Sequence, residues 1–192
     1  MANECSTIRL YLNQTDVVWN KLQEDGIVFS KAEYVRRKYE ESADVFMTIY
    51  SWFAGAAQQY VPRPEGAELP YWAQRELMNL DTSGSGHVFI VEVPLDEVVL
   101  YDYSDWTKIL QFKYLPKDEA DEKAFEHEME MQGADEFKAL STTFYPMLKS
   151  KIVSSWNRLF RNNDAIKAGT SDVQKVSGAL WCIKKEWIVE DL

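Results

Sequence analysis

Residues 87–116 read HVFIVEVPLDEVVLYDYSDWTKILQFKYLP, and how this stretch is divided decides the fold class. Two runs, HVFIVEVP (87–94) and EVVLYDY (97–103), are dense in β-branched and aromatic side chains, which suit a buried, pleated surface. Pro94, Leu95 and Asp96 between them read as a tight turn. Beyond the second run, Asp102, Ser104 and Asp105 lead into a helix predicted from Trp106, with Ser104 or Asp105 as its cap. A buried strand that runs straight into clustered polar residues is where a pocket would sit.

Working outward, IRLYLNQ (8–14) alternates as a strand with Ile8, Leu10 and Leu12 on one face. Thr15 or Asp16 then caps a short helix that Gly26 ends, and IVFS (27–30) is extended. Residues 31–59 are helical in pattern, and Gly55 among Ala54, Ala56 and Ala57 permits a close backbone approach. The segment VPRPEGAELPYW (61–72) reads as a long irregular loop carrying Trp72, because Pro62, Pro64 and Pro70 remove donors and fix φ. WAQRELMN reads as a helical turn, and DTSGSGH (81–87) as a Gly/Ser turn. Downstream, residues 118–136 continue as a charged helix broken by Gly133. Residues 135–162 form a helix with Phe137, Leu140, Phe144, Leu148, Ile152, Trp156 and Phe160 as a core-facing stripe, kinked or divided at Pro146. A turn or short loop (161–172) precedes a last strand or strand pair in VSGALWCIKKEWIVEDL. Strands and helices that alternate without a βαβ series predict an α+β domain spanning 1–192, a modest mixed or antiparallel sheet packed by several helices.

Composition narrows the function classes. The 192 residues are 46% hydrophobic and include 7 Trp, 10 Tyr and 9 Phe, enough for a folded core. No apolar run is long enough to span a membrane, and the first residues lack the pattern of a signal peptide, so a cytoplasmic location is expected. Cys5 and Cys182 have no CxxC neighbour, and Cys182 reads as core. The formal charge is −10, and residues 118–136 hold nine acids against the single Lys123. Such a segment disfavours direct contact with nucleic acid and attracts a basic protein surface.

Several pieces together resemble the bacterial family known as domain of unknown function 3841: LYLNQ (10–14), YSWF (50–53), PYWA (70–73), VLYDYSDWTKILQFKYLP (99–116), SSWNRLF (154–160) and VSGALWCIKKEWIV (176–189). The resemblance spans nearly the whole domain and implies no particular activity. With Asp102 and Trp106 in register, members resemble LLSDFDxWHxVLN, so Tyr101, Thr107 and Gln111 stand where serine, histidine and asparagine are implied. Ser177 stands where glutamine is implied. Any polar site built from those positions is altered in this chain.

Two functional readings follow. In the first, the acid-rich segment (Asp118, Glu119, Asp121, Glu122, Glu126 and Glu128), with Trp72 and Trp106 as aromatic contacts, binds a basic protein surface. The chain would then act as a regulator or inhibitor of a nucleic-acid-handling protein, of the kind a mobile element encodes. In the second, Asp102, Asp105 and Gln14 form a catalytic site at the strand exits, in an NAD- or nucleotide-binding enzyme of ADP-ribosyltransferase-like type. Arg9, Gln14, Tyr34 and Glu92 are the loose substitutes for that fold's usual polar residues. The competing structural reading has Asp105 or Ser104 capping a helix and Asp102 bonding turn amides. His127 in FEHEME lacks the second histidine of a metal motif, and no cofactor or metal is expected.

Overall fold

The computed structural model describes residues 6–39, 43–82 and 86–192. Alternation in 7–14 sets the frame. Strand β1 (Thr7–Gln14) pairs along its whole length with β4 (His87–Pro94), antiparallel, from Thr7↔Pro94 to Gln14↔His87. On its other side lies β3 (Tyr71–Gln74), then β6 (Val176–Leu180) and β5 (Val98–Asp102), while β8 (Ile188–Asp191) closes the far edge. The sheet order is β5-β6-β3-β1-β4-β8, every neighbouring pair antiparallel. The α+β class predicted from sequence is the class observed.

Each face buries its own core. Leu10, Leu12, Phe89, Val91, Val98, Leu100 and Leu180 share one face. Helix α1 (Asp16–Asp25) and a two-stranded sheet of β2 (Ile27–Phe29) and β7 (Cys182–Lys184) pack there through Leu22, Val28 and Ile183. Gly26 ends α1 in the left-handed region, at φ 77, as its lack of a Cβ permits. The opposite face, with Val99, Tyr101 and Ala179, lies under α3 (Ala43–Ala57), α4 (Tyr103–Leu110), α7 (Pro146–Ser155) and the 3-10 turns of Trp156–Asn162. Phe53 is the hub of that layer, its ring 4.7–5.5 Å from those of Trp72, Trp106, Phe160 and Tyr101.

Several local expectations are corrected. The runs 87–94 and 97–103 are strands, but β4 and β5 are not neighbours; β6, β3 and β1 stand between them. The tight turn expected at Pro94, Leu95 and Asp96 is present, as the 3-10 turn Leu95–Glu97. Trp72 lies in the interior strand β3 and not in a loop, because the irregular segment ends at Pro70; only Leu77–Asn79 of WAQRELMN is helical, and then as a single 3-10 turn. Gly55 is exposed with no atom near an added Cβ, so the close approach falls to the buried Ala54 and Ala57. The region 135–162 is divided: α6 (Glu136–Ser141) stops, and Pro146 opens α7 at a position where its missing N–H costs nothing. A further helix, α8 (Asn163–Lys167), fills the expected loop, and Asn163 Oδ1 accepts a hydrogen bond from Leu100 N, covering the outer edge of β5. Among the described residues, no helix is long and apolar enough to cross a membrane.

Candidate functional site

The strand exit is built around a helix cap. Asp102 is the N-cap of α4 and its Oδ1 accepts from Ser104 N at 2.7 Å, so the cap falls on Asp102 and the helix starts at Tyr103 rather than at Trp106. Asp105, one turn in, is buried and stands 2.8 Å from Arg161 Nη2. Burial raises its carboxyl above the ordinary range; the Arg161 charge works against that, and Asp102 adds to it. Gln14 is remote from both. Asp102 pairs with Val176 at one edge of the strand ladder, whereas Gln14 pairs with His87 at the other end of β1. Three strand spacings and about four residues of rise separate Gln14 from Asp102, roughly 20 Å. The predicted catalytic trio is therefore not assembled into one site.

The loose ADP-ribosyltransferase substitutes are also dispersed. Arg9 faces Glu92 across the β1–β4 ladder and pairs with Glu190 at 3.2 Å, Gln14 projects from the opposite face of β1, and Tyr34 is exposed on α2 (Ala32–Tyr39). The two tryptophans assigned to binding pack in the core: Trp106 is buried and stacks on the half-buried Trp72 with centroids 4.8 Å apart.

Tyr101 and Ser177, two of the positions that depart from the family pattern, are cross-strand partners. Ser177 Oγ donates to Gln74 Oε1 at 2.6 Å. Tyr101 is fully buried, its hydroxyl makes no hydrogen bond, and burial holds that phenol well above its usual range. Thr107 Oγ1 donates to Tyr103 O within α4, and Gln111 caps that helix at its C-terminus.

The acidic segment forms α5 (Glu119–Gln132), ended by Gly133 in the left-handed region. Its carboxylates divide into two groups. Asp118 Oδ1 caps the helix by accepting from Asp121 N at 2.8 Å. Asp121 Oδ2 accepts from Tyr114 Oη at 2.9 Å and from Lys117 N at 3.1 Å, with Arg158 at 3.8 Å. The Lys117 N–H first, then the Tyr114 hydroxyl and the Arg158 charge, hold the Asp121 carboxyl below the usual range. Glu128 pairs with Lys151 of α7. Asp121 and Glu128 fasten α5 to its neighbours, over the buried Phe125 and Met129, while Asp118 holds the helix's own first turn. Glu122, Glu126 and Glu130 are exposed with no cation paired to them among the described residues and follow one another at helical spacing; Glu119 extends their stripe and pairs with Lys123.

Periodicity assigned Phe137 and Phe144 to the core, and the structure places them outside. Of the eleven exposed large apolar side chains among the described residues, four fall within 131–147: Met131 at 75%, Phe137 at 57%, Phe144 at 82% and Met147 at 78% exposure. The break before Pro146 shifts the helical phase, so Leu148, Ile152 and Trp156 keep the core face while Phe144 leaves it. The signal that could have located this surface was the proline itself, which restarts the count.

Residues 9–189 match the family model described as Domain of unknown function (DUF3841), and the chain belongs to that family. No curated protein and no solved structure matches it.

Proposed function

We propose that this chain is an acidic protein-binding regulator that engages a basic protein surface through α5 and so competes with that protein's nucleic acid. The observation that carries the reading is the division of the α5 carboxylates: Asp118, Asp121 and Glu128 are spent on structure, while Glu122, Glu126 and Glu130 face solvent with no cation. A helix face of uncompensated carboxylates resembles a run of phosphates in the one property a basic groove senses at long range. The test replaces Glu119, Glu122, Glu126 and Glu130 by Gln and leaves the structural acids in place. Proteins retained by the native chain at low salt should be lost from the variant and displaced by oligonucleotide. Equal retention of every partner by both chains, at low salt and with oligonucleotide present, would overturn the reading.

One observation favours a second reading, a nucleotide site near the α4 start. Tyr101 Oη, next to the Asp102 cap in sequence, is buried without a hydrogen-bond partner, while the buried Asp105 Oδ2 has the Arg161 guanidinium 2.8 Å away. Buried polar atoms in that state call for a water, an ion or a reacting group. Thermal shift with NAD and nucleotides separates the two readings: a ligand present at a hundred times its Kd stabilises by about 2.7 kcal/mol. The docking reading expects no shift.

A further inference from the structure

We propose that the cleft between α3 and residues 63–69, about 730 Å³ in volume, binds a small zwitterion, an amino acid or dipeptide with an apolar side chain. The cleft shares no lining residue with α5 or with the strand exit, so it stands apart from both readings above. The loop that forms its wall is strapped to the start of α2. Lys31 Nζ donates to Gly66 O at 2.6 Å and pairs with Glu68 at 3.3 Å. Glu68 Oε2 accepts from Ala32 N at 2.9 Å, and Ser30 forms a β-bridge with Leu69. A wall held in this way is in place before a ligand arrives, which spares the entropy of ordering it on binding.

The lining combines a small apolar surface with unpaired polar groups. Ala54 and Leu69 are buried there and Met47 is half-buried, which leaves room and contact for an apolar side chain. Arg63 lies over the ring of Trp181 at 5.9 Å, and that indole is itself fixed by its hydrogen bond to Val61 O at 2.8 Å. Stacking holds the guanidinium plane and leaves its N–H edge for a carboxylate. Among the described residues no carboxylate pairs with Arg63, no cation pairs with Glu65, and the Ser51 hydroxyl makes no hydrogen bond. Glu68, the other acid of the lining, is by contrast taken up by Lys31 and Ala32 N. One unpaired cation and one unpaired anion, two residues apart on a loop stiffened by Pro64, match a ligand that carries both charges. A simple anion would be opposed by Glu65, and a simple cation by Arg63.

The test uses the full chain and two probes, leucine and leucyl-leucine, each beside its N-acetyl form and its C-terminal amide, with affinities read by NMR titration of the protein. At least one zwitterion should bind about tenfold more tightly than either of its capped forms. Arg63→Gln should erase the preference over the amide and keep the preference over the N-acetyl form. Glu65→Gln should do the reverse. Ser51→Phe, which fills the cleft from α3, should abolish binding of every probe. All three positions are exposed, and an unchanged melting transition verifies that each variant is folded. A capped form that binds as tightly as its zwitterion overturns the proposal. So does binding that survives Ser51→Phe, which would place the ligand elsewhere, and so does a failure of both zwitterions to bind at millimolar concentration.

Discussion

Asp105 carries the sharpest electrostatic tension among the residues at the strand exit. Its carboxyl is buried, and burial raises its pKa above 3.8 even though Arg161 opposes the shift. A group whose folded pKa is raised contributes most to stability below its unfolded pKa and loses that contribution as pH rises through the folded value. Asp105→Asn should therefore be at least as stable as the native chain at pH 7, with the difference closing as pH falls into the carboxylate range. Urea midpoints across that range measure it; a variant weakest at pH 7, and recovering as pH falls, would show that the Arg161 pair outweighs burial. Cys182 gives a second residue-scale prediction. Burial pushes its thiol up to about 11, so in a Cys5→Ser background it should resist a thiol reagent at pH 8 until denaturant is added. Rapid stoichiometric reaction of the folded chain would contradict that placement. That Cys182 belongs to the core was readable from its apolar neighbours. That Asp105 meets Arg161 was not, since 56 residues separate them and no local pattern links the two.

Among elements, α5 is where structural and solvent-facing carboxylates separate. Asp118→Ala removes the cap and should cost about 1 kcal/mol. Neutralising Glu122 or Glu126 should change stability by no more than about 0.5 kcal/mol, the scale of a charge near a helix end. Equal losses from the two kinds of substitution, measured in denaturant, would mean that the carboxylates do not divide in this way. In β6, Gly178 leaves room where a Cβ would stand 2.9 Å from Leu10 Cδ1 and 3.0 Å from Val98 Cγ2. Gly178→Ala should overpack that face by roughly 1–3 kcal/mol, and an unchanged melting temperature would show that the leucine and valine can yield. Strand and helix content in 8–14, 87–103 and 118–132 was legible because side-chain period is a local property. Pairing was not: nothing within 87–103 tells β4 to join β1 and β5 to join β6. Trp72 was misplaced because the prolines of 61–70 end abruptly, and four residues are too few to show a strand period.

At the scale of the whole molecule, the sheet divides the chain into two unequal cores, and the larger one carries the helices that turn the acids outward. The α+β class was readable from composition and period together. The charge of α5 was readable in the sequence, whereas the exposure of Phe144 emerges only when Pro146 restarts the helix and leaves that side chain in solvent. The two candidate regions lie on different elements, so the location of binding decides between them. Hydrogen exchange of the full chain, with and without a basic protein it retains, is the most direct measurement. The account predicts new protection across 119–155, on α5, α6 and α7, lost when Glu119, Glu122, Glu126 and Glu130 become Gln. Protection confined to 71–75 and 98–105, with 119–155 unchanged, would contradict it.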